Sequence, residues 1–331
     1  MNQRLPVSIF GATGQVGRHL AAMLATHPRF SIGQLVGSPA SVGQDYQAVW
    51  EDKESTLAAH YGAWYPALPY PPSISSHIVV GHSDIPDGAL VVSSVPERAG
   101  PDEDRLVAQK CTVISNSPYR RMDPTLPLDI PGIPSTLTGT YVKIPNCATI
   151  GLALALHPIN SLLTNIPISV CTYQSLSGRG DARYPRELAI GNVFPLRHSS
   201  EDTETRIQSE LKRILPDLSV SVSCYRTPTP VGHLIDVSLF HQGRLSVDAL
   251  LTQWGTHIAQ GNSCGIDVTH ADQHPQSLPD SAIDQGMTVV IGNIADHPDA
   301  GIIRFTVVIN NLIRGAAGSL ILALNSLENH I

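Results

Sequence analysis

The order of apolar and polar positions changes character near Pro145. Ahead of that point, short apolar runs alternate with stretches of helical spacing. Pro6–Phe10 runs into Gly11–Gly17, and Arg18–Thr26 then reads as a helix, with Val16, Leu20, Met23 and Leu24 at helical intervals. Phe30–Val36 follows as a second strand. Strand, glycine turn, helix and strand make a βαβ unit, the start of a doubly wound sheet. Further strands are expected at His77–Val80, Ala89–Ser93 and Thr112–Ser115, with a helix near Asp104–Lys110. Residues 50–75, rich in Tyr, Pro and Ala, show no usable period.

Beyond the breakers between Pro124 and Pro134, Ala148–Leu163 is apolar around most of its circumference and predicts a buried helix. From Ile168 to Gly292, alternating runs such as Val220–Cys224 and Leu234–Phe240 predict a mixed sheet, with a polar helix at Glu201–Leu215. The chain closes with a strand at Ile302–Ile309 and an apolar helix at Arg314–Leu327. The expected class is α/β: an N-terminal Rossmann-type doubly wound sheet plus an α+β domain with a mixed sheet. The expected division is 1–145, completed by a C-terminal helix over 311–331, and 146–310.

Composition narrows the function. The chain has 331 residues, 42% hydrophobic and 15% charged, with a formal net charge of −7. No Lys/Arg run appears, so neither a nucleic-acid nor an anionic-membrane footprint is expected. No apolar run reaches the ~18 residues that span a bilayer. Five cysteines, odd in number and without a CxxC, are neither a disulfide framework nor a zinc site. His270 and His274 share i,i+4 spacing but lack a third ligand, so no metal is expected. Met1–Leu5 carries no signal-peptide pattern, and a soluble cytoplasmic protein is expected.

Two segments carry chemistry. Gly11-Ala12-Thr13-Gly14-Gln15-Val16-Gly17 follows a strand and opens a helix, the context in which a glycine loop holds a pyrophosphate on free helix N–H groups. Past the second strand stands Gly37-Ser38-Pro39-Ala40-Ser41 rather than a carboxylate, which hints at NADP. Asn146-Cys147-Ala148 places a thiol at the start of a helix, where the dipole lowers its pKa. Cys147 is a candidate nucleophile, with a structural thiol as the equal alternative. Arg226 and His233, seven residues apart, offer an anion grip and a proton shuttle.

Six ordered motifs make the chain resemble the aspartate-semialdehyde dehydrogenases of the fungal and archaeal branch: Gly11–Gly17; Ser115-Asn116 with Arg120–Pro124; Pro145–Thr149; Gln174–Gly178; Arg226 with His233; and Asn311 with Arg314–Gly318. The resemblance implies that Cys147 forms a thioester, that Gln174 positions it, and that His233 is the general acid/base. It implies that Arg226 grips the substrate carboxylate and that Arg121, with Arg120 competing, holds phosphate beside Asn116. It places Gly11, Thr13, Gly14, Gln15, Val16, Ser38, Ser41, Ser177, Gly178, Gly180 and Asn311 around NADP.

It further implies a small-molecule substrate with phosphate, a catalytic and dimerisation role for 146–310, and a homodimer or homotetramer. Three departures stand out. Ala40 occupies a position where the family usually has Arg, which leaves NAD open. Thr203 and Arg206 stand where the family has Glu and Lys, with Glu201 or Glu204 as substitutes for the Glu. Arg179 adds a cation beside the pocket. The implied activity is NADP-dependent reduction of L-4-aspartyl phosphate to L-aspartate 4-semialdehyde. The alternative is the same thioester chemistry on another acyl phosphate or an acyl-CoA.

Overall fold

The computed structural model describes residues 4–62, 65–74, 77–134, 139–179, 184, 186–197, 202–262, 265–269 and 273–327. The first half opens with β1 (Leu5–Phe10), α1 (Gln15–Ala25), β2 (Phe30–Val36) and α2 (Tyr46–Tyr61), then β3 (Leu90–Ser93), α3 (Pro101–Ala108), β4 (Thr112–Ser115) and β5 (Tyr141–Lys143). These strands form a parallel sheet in the order β2-β1-β3-β4-β5. Strand order reverses between β1 and β3, the kind of switch point where open α/β sheets leave a crevice at the strands' C-terminal ends.

The second half starts with α4 (Cys147–Leu156) and continues with β6 (Pro167–Gln174), the short helix α5 (Arg186–Ala189), β7 (Phe194–Pro195), α6 (Thr203–Ile214), β8 (Ser219–Arg226), β9 (His233–Phe240) and α7 (Val247–His257). It ends with β10 (Ile266–Val268), the short helix α8 (Ser277–Asp280), β11 (Val289–His297), β12 (Ile302–Ile309) and α9 (Gly318–Leu327). Its sheet is mixed, in the order β10-β11-β12-β9-β6-β8-β7. Along β9 buried and half-buried residues alternate from His233 to Leu239, so one face packs inward and the other is more open. The inward face is covered by α4, whose Ala148–Leu156 are all buried. Trp254 on α7 donates its indole N–H to the Ala155 carbonyl near the end of α4, at 2.8 Å.

Several elements depart from expectation for identifiable reasons. His77–Val80 makes only isolated bridges, Ile78 to Asp45 and Val80 to Val36. The first part of the featureless stretch after residue 50, up to Tyr61, belongs to α2, which is tied down by a buried ion pair, Arg18 Nε to Glu54 Oε1 at 2.9 Å. The helix expected over Ala148–Leu163 ends at Leu156 and tightens into a 3₁₀ turn, His157–Leu162, where Pro158 lacks the N–H an α-helix needs. The closing helix begins as a π turn, Ile313–Ala317, before α9. α9 packs on α1 and β4, so this helix joins the first sheet. Among the described residues, no helix is long and apolar enough to cross a membrane.

Candidate active site

Register brings the site together. The final residues of β6 and β8 are paired, Gln174 with Arg226, while His233 at the start of β9 pairs with Ile309 at the end of β12. Gln174, Arg226, His233 and, two residues past β12, Asn311 therefore share one edge of the second sheet. Cys147 arrives at that edge as the first residue of α4, capped by Asn146, whose Oδ1 accepts from the Ala148 N–H at 2.9 Å.

The sulfur of Cys147 lies 3.3 Å from Nε2 of His233. The π turn presses against it, since a Cβ built on Gly315 would stand 2.6 Å from the Cys147 Cβ. A side chain there would displace the thiol. Burial pushes the Cys147 thiol up to about 11, against the lowering influence of the Ala148 N–H, Arg226 and Arg121. This corrects the expectation of a depressed thiol: enclosure outweighs the helix terminus in the resting protein. His233 is fully buried, and desolvation followed by the Arg226 charge pulls its imidazole down to about 3. Both partners therefore rest neutral.

Arg226 is buried, donating from Nη1 to the Ser175 carbonyl at 2.7 Å and from Nε to the Tyr184 hydroxyl at 3.2 Å. The guanidinium of Arg179 lies over the same Tyr184 ring, 4.4 Å from its centroid. A Cβ on Gly178 would sit 2.7 Å from Arg226 Nη1 and 3.2 Å from the His233 ring, which places Gly178 directly against the pair. Gln174 is buried with its amide donating to Thr172 Oγ1 at 3.2 Å and to the Cys224 sulfur at 3.7 Å, away from Cys147.

The two adjacent arginines separate cleanly. Arg120 points outward to Asp104 and Asp123, at 2.6 and 2.7 Å. Arg121 turns inward, pairing with Glu210 at 3.0 Å and donating to the Asn116 carbonyl. Glu210, on α6, also accepts from the Asn146 N–H and the Thr149 hydroxyl, both at 2.7 Å. One carboxylate thus braces the inward arginine and the first turn of the cysteine's helix.

Arg206 reaches across to Glu97 at 3.0 Å. Glu204 is not brought to Cys147. Its carboxylate accepts from the Cys224 N–H at 2.9 Å and from Arg197 at 3.2 Å, because its position on α6 faces β8. Thr203 is buried, while Glu201 and Gly180 lie outside the described residues.

The glycine loop sits where expected, between β1 and α1. Gly11 has φ +90°, and a Cβ there would lie 2.6 Å from the Ser94 carbonyl oxygen, so a side chain is excluded. The N-cap, Gly14, makes no side-chain cap, and the first turn of α1 holds no acid. Gln15 is buried, with its amide beside the Tyr65 hydroxyl. Thr13, Gly14 and Val16 flank these uncapped N–H groups, which fit a phosphate-bearing nucleotide. Beyond β2, Ser38 is exposed, whereas Ser41 turns inward and donates to the Ser38 carbonyl at 3.0 Å.

Asn311 is engaged within the protein. Its Oδ1 accepts from Ser175 Oγ and the Gly232 N–H, both at 3.0 Å, and its Nδ2 donates to Ser177 Oγ at 2.9 Å. Residue-level reasoning missed Ser175 and Glu210 as parts of the site. The signal for Glu210 was present: Thr203, Ile207, Glu210 and Leu211 form one stripe, and an acid on a buried stripe requires partners. Among the described residues no group of three metal-ligating side chains exists, and the four described cysteines are free thiols.

Comparison with known proteins agrees with this geometry. Residues 6–139 match the family model described as semialdehyde dehydrogenase, NAD binding domain, and residues 156–314 match semialdehyde dehydrogenase, dimerisation domain. The chain is 29% identical to an aspartate-semialdehyde dehydrogenase of Methanothermobacter thermautotrophicus, over 96% of each chain. It is 28% identical to a malonyl CoA reductase (NADP) of Metallosphaera sedula, over 96% of this chain and 95% of the relative. A crystal structure of aspartate semialdehyde dehydrogenase with NADP from Candida albicans shares the fold at a TM-score of 0.80 and 23% identity, over 99% of this chain and 100% of that one.

Proposed function

As the chain belongs to the semialdehyde dehydrogenase family and is an NAD(P)-dependent oxidoreductase, we propose that it reduces L-4-aspartyl phosphate to L-aspartate 4-semialdehyde, reversibly and with NADP, through a thioester on Cys147. The observation that carries the reading is the Cys147 sulfur 3.3 Å from His233 Nε2 at the start of a helix, with Arg226 beside both. His233 Nε2 takes the thiol proton as the sulfur attacks the acyl carbon, the carbon–oxygen bond to phosphate breaks, and phosphate leaves towards Arg121. When bound at the glycine loop, NADPH would supply the hydride for reduction of the thioester, and NADP+ would accept one in the reverse direction. His233 Nε2 gives a proton to the substrate oxygen as it becomes anionic, and takes it back as the carbon–sulfur bond breaks to release the aldehyde.

In this reading Arg226 holds the substrate carboxylate and Gln174 the thioester, with Asn116 and Arg206 completing the anion site. Gly11, Thr13, Gly14, Gln15, Val16, Ser38, Ser41, Ser177, Gly178 and Asn311 would hold the nucleotide. We assign residues 1–145, completed by 311–331, to nucleotide binding and 146–310 to catalysis and to assembly as a homodimer or homotetramer. We place the enzyme in the cytoplasm, a reading supported by its free thiols.

A second reading, reduction of another acyl phosphate or an acyl-CoA by the same chemistry, is favoured by Glu204. Its carboxylate is spent on β8 and Arg197, where it meets no substrate ammonium. Mixing the protein with phosphate or coenzyme A, NADP or NAD, and aspartate semialdehyde or an aldehyde without the amino group, while following reduced nicotinamide absorbance, tests both. Turnover of aspartate semialdehyde with NADP is expected. Turnover of the des-amino aldehyde alone would establish the second reading, and none with either aldehyde would reject both.

A further inference from the structure

We propose that Ser175, backed by Asn311, is a positioning residue that switches His233 between a parked tautomer and one able to transfer protons at Nε2. The inference rests on the thioester reading above. Nδ1 of His233 has two partners, both supplied by Ser175 and each at 3.1 Å: the backbone N–H and the hydroxyl oxygen. A backbone N–H can only donate. It therefore selects a bare Nδ1 and leaves the ring proton on Nε2, pointed at the Cys147 sulfur. In that parked state Nε2 donates a hydrogen bond but can accept no proton.

Proton transfer at Nε2 interconverts the imidazolium and the other neutral tautomer, and both of those carry a hydrogen on Nδ1. That hydrogen opposes the Ser175 N–H but suits the Ser175 hydroxyl oxygen. The hydroxyl donates to Asn311 Oδ1 at 3.0 Å and lies 3.1 Å from Ser177 Oγ, which with Ser177 as donor leaves one lone pair for Nδ1. Asn311 is in turn held by the Gly232 N–H and by Ser177. All four side chains, Ser175, Ser177, His233 and Asn311, are buried, so this chain rather than solvent meets the extra hydrogen.

The charged and titratable groups facing the ring are Cys147 from α4 and Arg226 from β8, with Arg121 and Glu210 acting through Cys147. Burial and Arg226 both resist a resting cation, so the imidazolium exists only in transit. Along the reaction the balance is simple. The two neutral tautomers exchange through solvent protons before substrate binds. From the one with Nδ1–H, Nε2 takes the Cys147 thiol proton as the sulfur attacks, gives it to the substrate oxygen, recovers it as the aldehyde forms and returns it to the sulfur, while Nδ1–H stays on the Ser175 hydroxyl.

Ser175→Ala keeps the backbone N–H and removes the hydroxyl. It is expected to lower kcat roughly tenfold to hundredfold, the scale of one hydrogen bond to a charged group, and to move the acid limb of the kcat profile to lower pH, with KM for the aldehyde unchanged. Ser175→Thr restores the hydroxyl and is expected to recover most of the loss. An unchanged kcat, or a loss confined to KM, would overturn the proposal. ¹⁵N NMR of the histidine ring nitrogens, with the His233 pair assigned through His233→Gln, needs no turnover. The expected result is tautomer-averaged nitrogens in the wild type and a bare Nδ1 with protonated Nε2 in Ser175→Ala. Identical ring nitrogens in both proteins would also overturn the switch. If the wild type reduces or oxidises none of the substrates, the thioester reading fails and the NMR comparison still decides this one.

Discussion

Two buried carboxylates do different work in this molecule. Glu103, at the start of α3, accepts from Ser93 and Ser115 hydroxyls at 2.5 and 2.6 Å, the Tyr141 hydroxyl at 2.5 Å and the Lys143 ammonium at 2.9 Å. Every partner belongs to the first sheet, and burial lowers the Lys143 pKa while Glu103 opposes that shift. Glu210 instead joins the Arg121 guanidinium, from the loop after β4, to the first turn of α4. The first cluster closes on itself and holds one layer together. The second spans the junction where the proposed chemistry sits. Burial and ion pairing are the same in kind, so it is the location of the partners that separates a framework cluster from one that serves a site.

Cys147→Ala marks the far end of that contrast. Turnover should fall roughly 10⁴-fold or more, as expected when a covalent nucleophile is removed, while the denaturation midpoint stays near that of the wild type. Surviving activity would break the assignment of the α4 edge as the reacting site. Glu103→Ala should do the reverse, lowering stability by about 3–5 kcal/mol, because it leaves Lys143 buried without its counter-charge. Urea titration measures the loss, and kcat per folded molecule should be retained. A variant that stayed stable but lost kcat would erase the distinction between the two clusters.

Glu210→Gln should fall between these. It keeps the shape but weakens a charged brace worth about 1.5–3 kcal/mol, so kcat/KM drops roughly tenfold and KM for phosphate rises as Arg121 shifts. Steady-state kinetics with varied phosphate would show it.

A gradual effect is the pH dependence of stability. His233 titrates near 3 in the folded protein and about 6.5 unfolded. The unfolded chain therefore binds the proton first. The stability due to its neutral burial is complete above pH ~6.5 and falls, by at most about 1.4 kcal/mol per pH unit, as pH drops towards 3. Calorimetry between pH 7 and 5 should show a shallower slope for His233→Gln. Equal slopes would remove His233 from the titrating set.

Much of this was legible in the chain because it is local. A glycine loop between a strand and a helix, and a thiol on the first residue of a helix, are both written within a few neighbouring residues. β2 and β12 coincide with their expected spans, Phe30–Val36 and Ile302–Ile309. What was illegible is distant. The Ser175–Asn311 hydrogen bond joins residues 136 apart, and the Arg121–Glu210 pair joins residues 89 apart. No period or motif encodes a bond of that separation. Glu204 was misplaced for the same reason, since one helical position decides whether a carboxylate faces β8 or the cysteine's helix.

The sequence by itself determined the alternation of strand and helix, the turn that receives a nucleotide, and the thiol at a helix start, all of which follow from local sterics and periodicity. Only the tertiary structure decided which of two adjacent arginines turns inward, that burial raises the Cys147 thiol, and which groups face each nitrogen of His233. Each of those depends on what is packed around a charge or a lone pair, and burial and partner geometry exist only once α4 has packed against α6 and the second sheet.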